Sequence, residues 1–162
     1  MKNAIILTDT RQQKDKHITK EFDKQKILHI RTNLESADYM AVRYDNKKGF
    51  YKDYSTLIDT KKDLLELCGN LCHTSEHERV KREIAKAKEL GCKKFIFLIG
   101  EDKIKTVEDI KHWKSRFTRV KGNILLKIMS TMAKKYEVKF IICSKKNMGK
   151  KIIKLLGGNN EL

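Results

Sequence analysis

Asp59 and Lys61 flank a threonine in Ile58-Asp59-Thr60-Lys61, and a second acid, Asp38, lies earlier with 20 positions between the two carboxylates. In extended backbone, residues two apart point to the same side, so Lys61 shares the space that Asp59 faces. Asp38 opens one apolar stretch and Asp59 closes the next. Between them lies a charged reversal, Asp45-Asn46-Lys47-Lys48-Gly49. An antiparallel hairpin sets the start of one strand beside the end of the other, which makes neighbours of the two acids. Two carboxylates and a lysine on one face suit phosphodiester hydrolysis. Hard oxygen ligands bind Mg²⁺ or Mn²⁺, which neutralises a phosphate and acidifies a water. The lysine can position that water and stabilise charge growing on phosphorus. By spacing alone the same triplet also describes a solvated strand edge, since Asp and Lys abound here.

The elements that must position these residues follow from apolar periodicity. The pattern predicts strands over 4–8, 27–33, 38–44, 54–59, 95–99 and 138–143. It predicts helices from His17 to about Lys24, Lys62 to Leu71, Glu76 to Leu90, Val107 to Trp113 and Asn123 to Tyr136, and a last one ending at Leu156-Gly157-Gly158. Thr74 or Ser75 would cap the third helix and Gly91 would stop it. Phe95–Ile99 is a continuous apolar run, as expected of a central strand covered on both faces. The early strands read as an antiparallel meander, and the later part alternates strand and helix. The expected fold class is therefore α/β: a single domain, 1–158 with a tail at 159–162, built on a mixed central β-sheet flanked by helices. Trp113, Met129 and Met132 read as core.

With 37 Lys and Arg against 21 Asp and Glu, the chain carries +16 and points to a polyanionic partner, DNA above all. Thirty of those cations are Lys and seven Arg, and proline is absent, a profile that an AT-rich genome also produces. Lysines 145, 146, 150, 151 and 154 read as a solvated helix face. No apolar run reaches the roughly 20 residues of a membrane span, and Ala4–Thr8 is too short for a signal peptide. A cytoplasmic protein is expected, one that makes no membrane contact. Cys68-x-x-x-Cys72-His73-x-x-x-His77 has the elements of a zinc site and would make a zinc-bound regulatory protein. Its apolar helical setting favours buried thiols instead, with His77 capping the preceding helix or packing against it.

Leu7-Thr8-Asp9-Thr10-Arg11-Gln12, Ala37-Asp38-Tyr39, Ile58-Asp59-Thr60-Lys61 and Glu66–Leu71 occur in this order. They resemble the opening V-D-x-R-E strand, G-D-Y turn, E-R-K segment and following helix of the XPF-type nuclease domain. That family belongs to the PD-(D/E)xK superfamily, and single-domain phage and prophage versions are especially similar. His77–Glu83 and Phe95–Ile99 resemble its next helix and central strand, and the likeness runs well over about residues 4 to 100.

The resemblance implies a restriction-endonuclease-like fold and a metal-dependent endonuclease that cuts branched or flap DNA, with roles in repair or recombination. It makes Asp38 and Asp59 metal ligands, Lys61 the catalytic lysine and Asp9 a supporting acid at the metal. Arg11 would contact a DNA phosphate or orient a neighbouring carboxylate, and Arg79 or Arg82 would touch the DNA backbone. Four positions depart from the pattern. Gln12 stands for Glu, Ala37 for Gly, Asp59 for Glu and Thr60 for Arg; Lys62 competes with Lys61 for the lysine role. Gln12 removes an anionic oxygen, which opens a second reading, a catalytically weakened DNA-binding or scaffolding module. No helix-hairpin-helix module follows, so grip on DNA is expected from the domain, a homodimer or a partner.

Overall fold

The two periodicities build six strands and five helices in the computed structural model, which describes residues 4–157. The tail expected at 159–162, and Gly158, lie outside the described residues. In chain order the elements are β1 (Ile5–Asp9), α1 (Lys16–Lys24), β2 (His29–Thr32), β3 (Tyr39–Asp45), β4 (Gly49–Lys61) and α2 (Leu64–Cys72). There follow α3 (Thr74–Glu89), β5 (Lys94–Gly100), α4 (Gly122–Tyr136), β6 (Val138–Cys143) and α5 (Met148–Leu156). The segment expected as a helix over 107–113 is a 3-10 turn at Glu108–His112.

The strands form one mixed sheet in the order β2-β1-β3-β4-β5-β6. β1–β3 and β3–β4 are antiparallel, while β4–β5 and β5–β6 are parallel. The early part departs from a simple meander. β2 runs parallel to β1, because α1 carries the chain back across the sheet before β2 begins. β2 is also an edge strand of only four residues, and Leu28 and Ile30 are left exposed. Its Arg31 is drawn to the carboxylate of buried Asp15, bonding both oxygens at 2.9 Å.

Side chains leave a strand on alternating sides, and two cores result. Leu57 and Phe97 pack with Leu64, Leu67, Val80, Ile84 and Met129, under α2, α3 and α4. Ile58, Ile96 and Leu98 pack with Ile18, Phe22 and Ile152, under α1 and α5. β5 is thus buried on both faces as its apolar run predicts. Each fully buried Leu or Ile contributes about 1.5–3 kcal/mol. Met129 and Met132 are buried and Trp113 packs against the same core.

Asp63 caps α2 by accepting from the Glu66 amide at 2.8 Å. α3 starts a residue or two earlier than its Ser and Thr suggest: His73 is the N-cap, and its carbonyl takes the His77 amide at 2.8 Å. His77 Nδ1 lies 2.8 Å from the Leu71 carbonyl oxygen, so the ring covers the end of α2. Cys68 is buried and Cys72 half-buried on α2, with sulfurs 3.8 Å apart as free thiols. No helix among the described residues is long and apolar enough to cross a membrane.

Candidate active site

β3 and β4 pair regularly from their turn, Asp45 with Gly49 and onward to Ala41 with Asp53. Continued unchanged, that register would set Asp38 across from Thr56. Between Ala41 and Tyr39, however, β4 advances five residues, to Ile58, while β3 goes back two. The three additional residues form a bulge, which kinks the strand and re-aims the side chains beyond it. Asp38 now lies alongside Asp59, with its amide on the Ile58 carbonyl at 2.9 Å. Thr60 then donates to Asp38 Oδ2 twice, from its amide at 2.7 Å and its hydroxyl at 2.8 Å. Just before, Ala37 sits at φ 62°, in the left-handed region that glycine enters without the penalty of a Cβ. This is where the XPF-type pattern has glycine.

Asp59 and Lys61 share the face of Leu57 and are almost fully buried. Lys61 Nζ reaches Asp59 Oδ1 at 2.9 Å and lies 6.0 Å from the centre of the Phe97 ring. A third acid arrives from α3. Glu83 follows the inward row of Val80 and precedes Ile84, and its Oε1 accepts from the Ala37 amide at 3.2 Å. The sequence pattern carried a signal for it, an acid on the buried face of an amphipathic helix, but did not single it out.

The electrostatics bind the three acids into one site. Burial and the charge on Asp59 push Asp38 up to about 7, against the opposing bonds from Thr60. Glu83 is raised by the same two causes. Burial acts to lower Lys61, yet Asp59 and Asp38 hold it above the usual lysine value. The lysine is therefore cationic, and the acids compete for too few cations.

Asp9, at the end of β1, is fully buried and otherwise engaged. Its Oδ1 accepts from the Arg11 amide at 2.9 Å and from Arg11 Nε at 2.6 Å, and its Oδ2 from the Leu34 amide at 2.8 Å. Burial works to raise Asp9, but Arg11 and the two amides hold it below its ordinary value. The arginine side chain stays largely exposed and feels the charges of Glu83 and Asp38. Arg79 pairs with Glu76 at 2.9 Å and lies 3.8 Å from Glu83, at the flank of the site. Arg82 is exposed on α3, apart from the acids.

A cavity of about 620 Å³ opens beside Lys61, lined by Arg11, Gln12, Lys14, His17, Lys62 and Lys145 among others. Its wall carries Arg11 and four lysines against two acids, Asp15 and Glu66, a cationic balance that suits a phosphate chain. The donor set fits a hard divalent cation. Among the described residues no hydrogen bond engages Asp38 Oδ1 or Asp59 Oδ2, and Asp38 carries a charge conflict that a dication would relieve. No group of three His, Cys, Asp or Glu closes into a cage among the described residues. Mg²⁺ keeps several waters and commonly takes only one or two protein carboxylates, so an open pair is sufficient.

The mixed sheet flanked by helices is an α/β fold of the restriction-endonuclease-like class, and two acids and a lysine stand together on one face of it. The ERCC4 domain matches residues 8–156, and the chain belongs to that family of XPF-type nuclease domains. Among solved structures, XPF from Aeropyrum pernix is similar with a TM-score of 0.66 at 12% identity, over 96% of this chain and 66% of that one. XPF from Aeropyrum pernix in complex with DNA is similar with a TM-score of 0.65 at 12% identity, over 95% and 64%. At such identity the likeness is one of fold, and this chain spans about two-thirds of the length of those proteins. None of the curated proteins matches it.

Proposed function

We propose that this protein is a DNA endonuclease that depends on Mg²⁺ or Mn²⁺ and acts at branched or flap DNA. The observation that carries the proposal is Asp38 beside Asp59, with Lys61 2.9 Å from Asp59, at the edge of a cationic cavity. Asp38 and Asp59, with Glu83 close by, would hold the cation, which when bound neutralises the phosphate and acidifies a water. Thr60 fixes one oxygen of Asp38 and leaves the other for that purpose. Lys61 orients the attacking water and donates to the oxygens on which charge builds. Its burial makes that donation stronger than it would be in water. Asp9 acts one step back: its carboxylate is taken up by Arg11 and Leu34, so it positions Arg11 toward a DNA phosphate. Arg79 and Arg82 would meet the backbone further along α3. Membership of the ERCC4 domain family and the fold likeness to an XPF in complex with DNA support this reading.

The test is cleavage of labelled flap, fork, junction and linear DNA with Mn²⁺ or Mg²⁺, and with chelator. Metal-dependent cutting of branched forms is expected. If DNA binds and nothing is cut in either metal, the site is dormant and the protein is a binding module of the same fold.

A further inference from the structure

Residues 110–136 carry eight Lys and Arg and no Asp or Glu. The centre of that stretch is a closed loop. The Gly122 amide donates to the Trp113 carbonyl at 3.1 Å, and Trp113 and Val120 pack on the core. Ser115 and Thr118 hydroxyls accept the amides of Phe117 and Val120, each at 3.2 Å. Such a loop, with joined ends and its own internal bonds, presents side chains from a fixed frame. It presents Phe117, 70% exposed, with the Arg116 guanidinium 4.8 Å from the ring centre. Arg11, Arg31, Arg43 and Arg79 are paired with carboxylates, whereas Arg116 and Arg119 form no ion pair among the described residues.

Chain topology sets this loop at the same end of the sheet as the acids. β4 and β5 run in parallel with Lys61 opposite Ile99, so β5 ends where β4 ends. α4 leads into Val138, which pairs with Phe95 at the start of β5. A helix of 15 residues spans about 22 Å, close to the length of β5, so its first turn lies back at the end with Asp59 and Lys61. α4 covers the face that Leu57 and Phe97 share, on which Asp59 and Lys61 also stand.

We propose that the 113–122 loop is a second DNA contact, which stacks Phe117 on an unpaired base while Arg116 and Arg119 hold the flanking phosphates. The inference rests on the nuclease reading for its occupant, and it names the part of the substrate that this rim holds. An aromatic ring with a cation on one side and solvent on the other is a platform for one base. Bases inside a duplex are already stacked, so only a single-stranded or branch-point nucleotide can use it. Four cations in 113–122, Lys114, Arg116, Arg119 and Lys121, without a single acid favour this polyanion over a protein partner.

The test measures affinity of the full chain for a labelled oligo-dT and for a blunt duplex, and quenching of a 2-aminopurine strand. Phe117→Ala should weaken oligo-dT binding about 5- to 100-fold, and Phe117→Trp should keep it within about threefold of wild type. Duplex affinity should change less than about threefold in both. Replacing Arg116 and Arg119 by Gln should flatten the single-strand salt slope by about 0.7 for each phosphate no longer held. Unchanged oligo-dT binding by Phe117→Ala, or equal loss on strand and duplex, would overturn the proposal. So would a change in the oligomeric mass with strand binding intact, which would assign the loop to a contact between chains. Metal-dependent cutting of branched DNA by the wild type reads the nuclease proposal separately. Cleavage with an indifferent Phe117→Ala strand affinity sinks only the loop assignment.

Discussion

Asp38 and Asp59 are held side by side by a three-residue bulge in β4, and the result is a carboxylate pair that burial makes hard to ionise together. Thr60 clamps one of the pair and Lys61 the other. The juxtaposition that suits a dication is therefore a liability to the metal-free fold.

The folded Asp38 titrates at about 7, above its ordinary value of 3.8. Between those values the native state binds more protons than the unfolded chain, so this group's contribution to stability falls as pH rises through the window. With chelator present, Asp38→Asn should remove that fall and raise Tm at pH above 7 by several degrees, at roughly 2–4 °C per kcal/mol for a domain of this size. The amide oxygen can still accept from Thr60. Parallel melting curves for the two proteins from acid to neutral pH would contradict the assignment. Asp9 has the opposite sign: its lowered value contributes stability above the unfolded value that is lost on acidification.

Asp59→Ala should abolish cleavage, and Lys61→Ala should reduce it by about 100-fold or more, with DNA affinity within a few-fold of wild type. The phosphates are held by the cationic rim, while these two groups act on the reacting centre. Cleavage assays and filter binding on the same preparations separate the effects. An Asp59→Ala protein that cuts normally would move the active site elsewhere.

Gln12 lines the cavity beside Lys61, at the position where the XPF-type pattern has an acid. Gln12→Glu should tighten Mn²⁺ binding and raise cleavage, because it adds a full charge within reach of a hard cation. Glu83→Gln should do the reverse, and calorimetric titration of Mn²⁺ would register both. If cleavage occurs only in Gln12→Glu, the wild type is a binding module with a dormant site.

Gly122→Ala should destabilise the fold by about 1–3 kcal/mol, the typical cost of forcing an added group into packed surroundings. An added Cβ would stand 1.9 Å from the Ile110 carbonyl oxygen. Gly69 in α2 meets nothing within 4 Å, and Gly69→Ala should instead stabilise by about 0.5–1 kcal/mol. Denaturant midpoints of the two variants should move in opposite directions.

Much of this protein was legible in residue order. Apolar runs located β1, β5 and β6, and the Asp45–Gly49 reversal made hairpin partners of the strands bearing Asp38 and Asp59. Alternation placed Lys61 on the face of Asp59, and four short motifs identified the family that the match over 8–156 establishes. These features depend on neighbours a few positions away, so periodicity records them. The tertiary structure alone decided that Asp59, and not Thr56, lies beside Asp38, because a bulge leaves the alternation on either side intact. It alone decided that β2 joins β1 in parallel, that Glu83 reaches the Ala37 amide from 46 residues away, and that Asp9 is engaged by Arg11 and Leu34. Pairings across such separations depend on how whole elements pack, and a single chain's local pattern does not encode that packing.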